Sequence, residues 1–178
     1  MILIGYRGTG KSSIGKRLAR RLQTPFYDTD DLIETAAGKS IREIVAEGGW
    51  DDFRKIEKKV IHELPVRHKA VVATGGGAVM DEENAKFLKN NGMMIWLYAD
   101  VKTILQRIDR GSTSGEKRPS LSGDDVGRET VAILEKRTPV YKSLADFSIN
   151  TGTKNIEEIV DEICQWLDSR TAQTVYGK

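Results

Sequence analysis

A glycine-rich segment near the N-terminus has the residue types and the spacing of a phosphate-binding loop. Residues 5–12 read GYRGTGKS, which fits the pattern G-x-x-x-x-G-K-S/T. In this pattern backbone amides and a helix N-terminus hold phosphate oxygens, the lysine neutralises the β- and γ-phosphates, and the serine hydroxyl binds Mg²⁺. An apolar run before the loop and helical spacing after it favour this function over a glycine turn that only caps a helix. The predicted ligands are ATP and Mg²⁺, and the predicted ATP-binding residues are Gly8, Thr9, Gly10, Lys11, Ser12 and Ser13.

Two carboxylates follow the second apolar run of the chain. In an extended segment Asp28 and Asp30 point the same way, because side chains alternate between the two faces. One carboxylate could hold the Mg²⁺ that Ser12 also binds, and the other could accept a proton or a hydrogen bond from an attacking hydroxyl. Aspartates also cap helices and favour the first helical turn, and that role explains part of the cluster. Because the same chain carries a phosphate-binding loop, we favour the functional interpretation of Asp28 and Asp30 over the capping role alone.

Three glycines, Gly75, Gly76 and Gly77, follow the third apolar run. Glycines at a strand end suggest that a ligand approaches the backbone closely, and a flexible turn is the alternative. Proteins with this phosphate loop commonly carry a metal-binding aspartate at such a strand end. Because glycines follow Thr74 here, Asp28 is the expected metal ligand.

Arginines are the natural partners of anionic substrates, since guanidinium groups match carboxylates and phosphates. Arg54, Arg118 and Arg137 lie in a long helical stretch, in a polar loop and after a helical stretch, respectively. A lone arginine on a helix is usually a surface residue. Composition alone would not select these three from the other arginines of the chain.

Alternating apolar runs and helical patterns predict the elements that position these side chains. Ligands bind beyond the carboxyl ends of the strands in the predicted architecture, a mostly parallel sheet with helices on both faces. Residues 40–43 form a capping box at a helix start. The predicted strands are 2–4, 25–27, 70–73, 93–97 and 147–149. The predicted helices are 11–22, 31–36, 41–47, 51–68, 82–90, 101–110, 126–137 and 156–168.

Length and composition predict one α/β domain over residues 1–170, with a lid at about 109–125 and a frayed tail at 171–178. A net charge of +2 argues against nucleic acid as a partner, and no apolar run is long enough to cross a membrane. The one cysteine, Cys164, cannot form an internal disulfide and is expected to be packed, so we expect a reducing cytoplasm. His62 and His68 are expected at the surface or in helix packing.

Taken in order, the phosphate loop and the D-T-D, F-R, G-G-G and R-P motifs resemble those of the shikimate kinases, over about residues 2–160. The resemblance implies a three-layer α/β/α fold like that of nucleoside monophosphate kinases, with a five-stranded parallel sheet and a mobile lid. It also implies Mg²⁺-dependent transfer of the ATP γ-phosphate to the 3-hydroxyl of shikimate, giving shikimate 3-phosphate and ADP. Such an enzyme works in aromatic amino acid biosynthesis and is a monomer.

The resemblance also assigns roles to residues. Lys11, Asp30 and Arg118 would be catalytic, with Asp30 holding the accepting hydroxyl and Arg118 moving from the lid onto the phosphates and the substrate. Arg54, in the F-R-x-x-E motif with Glu57, would bind the substrate carboxylate. The remaining implied residues are Arg137 and the backbone of Gly75, Gly76 and Gly77 for the substrate, and Ser12 with Asp28 (largely through water) for the metal.

Some features depart from the family pattern. The lid reads R-P-S-L where the family usually has R-P-L-L, and it is longer than expected ahead of Arg118. Arg110 is only a loose counterpart of the adenine-binding arginine, and a surface role is the equal alternative. Two other functions stay open: a related kinase of another hydroxy acid such as gluconate, and a nucleotide-binding relic without catalysis.

Overall fold

A parallel five-stranded sheet forms the centre of the protein in its computed structural model, which describes residues 1–65, 69–112 and 126–176. The strands follow the order β2-β3-β1-β4-β5, and every neighbouring pair is parallel. They are β1 Ile2–Ile4, β2 Phe26–Asp28, β3 Val71–Ala73, β4 Met94–Tyr98 and β5 Phe147–Asn150. The predicted α/β fold and its five parallel strands are confirmed, with strand ends within one residue of those predicted.

Helices cover both faces of the sheet. Among the described residues they are α1 Lys11–Leu22, α2 Thr29–Ala37, α3 Ile41–His62, α4 Glu82–Asn91, α5 Val101–Ser112, α6 Val126–Leu144 and α7 Ile156–Tyr176. A short 3₁₀ helix, Ala78–Met80, follows β3. None of the helices in the described segments is long and apolar enough to cross a membrane.

The central strand β1 shows why the fold has three layers. Ile2 and Ile4 are buried in a core with α3, α4 and α6, whereas Leu3 is buried in a second core with α1 and α7. Alternate side chains of a strand point to opposite faces, so a strand that is apolar at every position needs cover on both sides. Cys164 packs against the second core, as expected, and burial raises the pKa of its thiol.

Helix α3 joins the two helices predicted at 41–47 and 51–68 and ends at His62, six residues earlier than predicted. Gly49 interrupts it with φ 73° and ψ −176°, a conformation that side chains disfavour, so the two predicted segments meet at a kink. Ser40 and Glu43 form the predicted capping box. His62 stacks on Phe87 with ring centroids 4.6 Å apart, whereas His68 lies outside the described residues.

Helices α6 and α7 extend furthest beyond their predicted ends. Helix α6 continues through Pro139 to Leu144, so Arg137 lies within it rather than after it. The buried side chain of Tyr141, which stacks on Trp96 of β4, explains why the last turns of α6 form despite the proline. Helix α7 continues to Tyr176 instead of ending at Asp168. Fraying of residues 171–178 and the extent of the single domain stay predictions.

Candidate active site

A cleft of about 1050 Å³ opens at the carboxyl edge of the sheet, where the parallel arrangement predicts ligand binding. The phosphate loop, the start of α2, the segment after β3 and the start of the β5–α7 connection line it. The lining residues used below are Arg7, Gly8, Gly10, Lys11, Ser12, Ser13, Asp28, Asp30, Gly76, Arg107 and Thr151.

The phosphate loop takes its shape from glycines. Gly8 has φ 78° and Gly10 has φ 89°, both in the left-handed region that other residues rarely adopt. A Cβ atom at Gly8 would also lie 3.1 Å from the carbonyl oxygen of Ile104. Gly10 precedes α1 and has no side chain to cap it, so the first amides of the helix remain open to an anion in the cleft.

Lys11 is nearly buried beneath this loop. Its Nζ donates to the carbonyl oxygens of Gly5 and Tyr6, both at 2.8 Å. These two hydrogen bonds hold the ammonium across the loop. The local positive charge and the open amides together favour the binding of a polyphosphate.

Asp28 caps a helix and also contacts Ser12, its predicted partner in metal binding. Its Oδ1 accepts a hydrogen bond from the backbone N–H of Asp30 at 3.0 Å and so caps α2, while its Oδ2 accepts one from the Ser12 hydroxyl at 2.6 Å. A hydroxyl beside a carboxylate supplies the hard oxygen donors that suit Mg²⁺. No group of three acidic, histidine or cysteine side chains gathers for a metal in the described part of the chain.

The glycines after β3 allow charged side chains to approach the backbone. A Cβ atom at Gly75 would lie 2.9 Å from Glu57 Oε1 and 3.0 Å from Asp30 Oδ1. At Gly77 it would lie 2.4 Å from Arg54 Nη2, closer than real Cβ contacts allow. A third side chain, Arg137, has Nη1 3.7 Å from the Cβ position of Gly76. We call residues 75–77, together with the side chains of Asp30, Arg54 and Arg137, the glycine cradle.

Arg54 is held on one side of the cradle by its own helix. It forms an ion pair with Glu57, one turn further along α3, whose side chain is almost completely buried. The guanidinium also lies 5.1 Å from the ring centre of Phe53 and 5.9 Å from that of Trp50. The side chain of Arg54 itself is 38% exposed, so it can still contact a ligand in the cradle.

Tyr141 holds the other side of the cradle, and sequence reasoning did not assign it a role. Its hydroxyl donates to the carbonyl oxygen of Gly76, and burial raises its pKa to about 12. It lies one helical turn after Arg137, whose guanidinium is 5.9 Å from the ring centre of Tyr6. The i, i+4 spacing of Arg137 and Tyr141 was a signal in the sequence, but it had meaning only once α6 was known to continue past Pro139.

Arg107 is a second residue that the sequence did not single out. Its Nη1 donates to Thr151 Oγ1 at 3.0 Å and to the Gly8 carbonyl oxygen at 3.4 Å, and its Nη2 donates to the Thr151 carbonyl oxygen at 2.6 Å. It therefore joins α5, the phosphate loop and the segment after β5. Arg110 is exposed on the same helix and does not line the cleft formed by the described residues.

Most of the predicted residues with described positions line the cleft: Gly8, Gly10, Lys11, Ser12, Ser13, Asp28, Asp30 and Gly76. Arg54, Gly75, Gly77 and Arg137 adjoin it through the glycine cradle, and Thr9 is buried within the phosphate loop. Arg118 and most of the predicted lid lie outside the described residues.

A phosphate loop after β1, a carboxylate pair after β2 and an arginine-flanked glycine cradle after β3 define a P-loop kinase for a small anionic acceptor. The family model "Shikimate kinase" matches residues 7–168. The chain belongs to the shikimate kinase family.

Relatives of known name agree over nearly the whole chain. The shikimate kinase of Syntrophus aciditrophicus is 47% identical, over 96% of this chain and 91% of that protein. The one from Rhodopirellula baltica is 38% identical, over 97% and 92%. Among solved structures, shikimate kinase from Acinetobacter baumannii in complex with shikimate has a TM-score of 0.87 and 34% identity, over 95% of this chain and 92% of that chain. A gluconokinase from Sinorhizobium meliloti has a TM-score of 0.55 at 17% identity, over 98% and 94%, and shares the fold alone.

Proposed function

We propose that the protein is a shikimate kinase, which transfers the γ-phosphate of ATP to the 3-hydroxyl of shikimate and releases ADP and shikimate 3-phosphate. The observation that carries the proposal is the glycine cradle: Asp30, Arg54 and Arg137 meet at residues 75–77 beside the phosphate loop. Family membership supports the same reaction.

The cradle has the chemistry that shikimate requires. Shikimate carries one carboxylate and three hydroxyls on a ring. Arg54 and Arg137 would bind the carboxylate, since guanidinium groups donate paired hydrogen bonds to it. The backbone of the glycines gives the ring room to approach, and Asp30 would accept a hydrogen bond from the 3-hydroxyl. The bound acceptor in the Acinetobacter baumannii relative is shikimate.

The phosphate end of the cleft would hold ATP. Gly8, Thr9, Gly10 and Ser13 would bind it mainly through backbone amides, with Lys11 placed against the β- and γ-phosphates. Ser12 and Asp28 would hold Mg²⁺, the aspartate largely through water. When bound, the metal neutralises charge on the β- and γ-phosphates.

The protein would catalyse the transfer mostly by positioning and charge neutralisation. Asp30 would orient the 3-hydroxyl towards the γ-phosphorus and accept its hydrogen bond or its proton. Lys11 and Arg118 would balance negative charge on the transferring group. Closure of the predicted lid at 109–125 would exclude water and so favour shikimate over hydrolysis.

We further propose that the enzyme acts in the cytoplasm, as a monomer, in the pathway that leads to chorismate and the aromatic amino acids. Its partners would be the two small-molecule substrates, with no nucleic acid and no membrane. A gluconate kinase remains the second candidate by chemistry, because both acceptors carry a carboxylate. The fold-level likeness to a gluconokinase gives it no further support.

The proposal is tested by coupled ADP release with ATP and Mg²⁺, with and without shikimate, and with gluconate as a second acceptor. We expect ADP release that requires shikimate. Faster turnover with gluconate than with shikimate would identify gluconate as the acceptor, and the reaction would still be a phosphoryl transfer. If a folded, ATP-binding preparation releases no ADP with any acceptor, the protein is a non-catalytic relic.

A further inference from the structure

Arg7 lies in the phosphate loop, at a position where the loop motif allows any residue, and it is not among the residues proposed to bind ATP, Mg²⁺ or shikimate. It occupies one of the unspecified positions between Gly5 and Gly8, and its side chain lines the cleft with Lys11 and Asp30. Its Nε is buried and has no hydrogen-bond partner among the described residues. A buried guanidinium N–H without an acceptor destabilises the ligand-free protein, and an oxygen of a bound anion would supply that acceptor.

The position of Arg7 limits what that anion can be. Its backbone nitrogen lies 3.3 Å from the Cβ position of Gly76, so the phosphate loop and the glycine cradle touch at this residue. On one side the Lys11 ammonium is held under the loop by carbonyl oxygens. On the other side lies Asp30, whose Oδ1 is 3.0 Å from the Cβ position of Gly75. Arg7 therefore lies where the nucleotide and acceptor sites meet, which is where a transferring phosphoryl group must pass.

We propose that Arg7 is a further catalytic residue, whose guanidinium donates hydrogen bonds to the γ-phosphoryl oxygens during transfer. This proposal rests on the proposed kinase function. In the step, the bond between the γ-phosphorus and the β–γ bridging oxygen breaks and ADP keeps the electron pair. The acceptor oxygen forms a new bond to the phosphorus, and its proton passes to Asp30 or to water. Arg7 stays protonated and balances charge on the transferring group.

The test compares Arg7→Gln and Arg7→Lys with Arg20→Gln, a control on the exposed face of α1. We expect Arg7→Gln to lower kcat by about 100-fold, the lower end for loss of one transition-state donor, with KM for shikimate changed less than about threefold. Arg7→Lys should recover only part of kcat, because an ammonium lacks the guanidinium fork. Arg20→Gln should match the wild type. Far-ultraviolet circular dichroism and thermal melting establish that each variant is folded. If Arg7→Gln does not fold, the kinetic test is made with Arg7→Lys alone.

Calorimetric binding separates this proposal from the proposed function. A non-hydrolysable ATP analogue and ADP differ in the γ-phosphate, so Arg7→Gln should lose about tenfold in affinity for the analogue and little for ADP. That result does not require shikimate to be the acceptor. A variant with normal kcat and a raised KM for shikimate would overturn the proposal by assigning Arg7 to the acceptor carboxylate. Unchanged kcat together with an unchanged preference for the analogue would also overturn it.

Discussion

Two carboxylates at this site make contacts that stabilise the fold and also position groups at the cleft. Asp28 caps α2 with one carboxylate oxygen and contacts Ser12 with the other. Glu57 is buried and fixes Arg54, which keeps a guanidinium near the cradle where a ligand can reach it. In both cases a hydrogen bond that stabilises the fold also fixes the position of a group at the cleft.

Gly77 tests how much the cradle depends on having no side chains. In Gly77→Ala the new Cβ would lie 2.4 Å from Arg54 Nη2, so Arg54 would have to move. We expect KM for shikimate to rise about 10- to 100-fold, the equivalent of losing a charged hydrogen bond, with little change in KM for ATP. Steady-state kinetics with each substrate varied in turn measures this.

Gly127→Ala is the matched control, because the nearest side-chain atom to its Cβ position is 3.9 Å away. It lies in α6, where alanine is favoured over glycine by about 1 kcal/mol, so the control should be at least as stable as the wild type. Equal kinetic effects in the two variants would contradict the assigned role of Gly77.

At the scale of elements, the site depends on contacts between helices and the loops that follow strands. Helix α6 meets the segment after β3 through the Tyr141 hydroxyl and the Gly76 carbonyl oxygen. Helix α5 meets the phosphate loop through Arg107 and Thr151. The kink at Gly49 lies between the capped start of α3 and the turn that carries Arg54. Helices α3, α5 and α6 each carry one arginine to this edge of the sheet: Arg54, Arg107 and Arg137.

The contact between α6 and the segment after β3 depends on pH, because the ionisable hydroxyl of Tyr141 makes it. Burial raises its pKa from 10.0 to about 12, so the unfolded chain loses the phenol proton at a lower pH than the folded protein. Its contribution to the free energy of unfolding is therefore complete below about pH 10 and is lost as the pH rises towards about 12. At about 1.4 kcal/mol for each pKa unit, the loss is roughly 3 kcal/mol.

Urea unfolding of the wild type and Tyr141→Phe across this alkaline range measures the effect. Below about pH 10 the variant should be less stable by about 0.5–1.5 kcal/mol, the net value of a hydrogen bond. As the pH rises towards about 12 the difference should vanish and then reverse, because only the wild type loses the stability linked to the Tyr141 ionisation. Tyr98→Phe, at an exposed tyrosine of β4, should follow the wild-type curve. Parallel curves for the wild type and Tyr141→Phe would show that the Tyr141 ionisation is not linked to folding.

For the whole molecule, stability comes mainly from the two cores on either side of the sheet. Leu3 lies in the central strand and is completely buried. Leu3→Ala should lower the free energy of unfolding by about 2–5 kcal/mol, through lost burial and the cavity that remains. Urea unfolding should show a lower midpoint with an unchanged slope.

Arg17→Gln is the comparison for Leu3→Ala, because it removes the ion pair between α1 and Glu157 of α7 on the exposed surface. Water and salt screen such a pair, so its loss should shift the midpoint far less than the loss of Leu3. A larger effect for Arg17→Gln would mean that the contact of α1 with α7 depends on charge rather than on the core.

The local structure of this protein could be predicted from its amino-acid sequence. The apolar runs, the phosphate-loop glycines and the capping box at Ser40 gave the fold class, the strands to within one residue and the start of α1. These features depend on residues a few positions apart, so short patterns encode them. The predicted ends of α3, α6 and α7 were wrong, because packing against the rest of the chain decides where a helix stops.

Contacts between distant side chains, in contrast, depend on how the strands and helices are arranged in space. Asp30, Arg54 and Arg137 converge on residues 75–77 because β2, β3 and β1 are neighbours in the sheet and α6 contacts Gly76 through Tyr141. The apolar pattern along a strand predicts which of its faces is buried, but it does not predict which strand lies beside that strand. For the same reason no pattern in the sequence indicates that Arg7 lies where the phosphate loop meets the cradle, or that Arg107 joins three segments. The order of the strands in the sheet determines which residues far apart in the chain come into contact, and short sequence patterns do not predict that order.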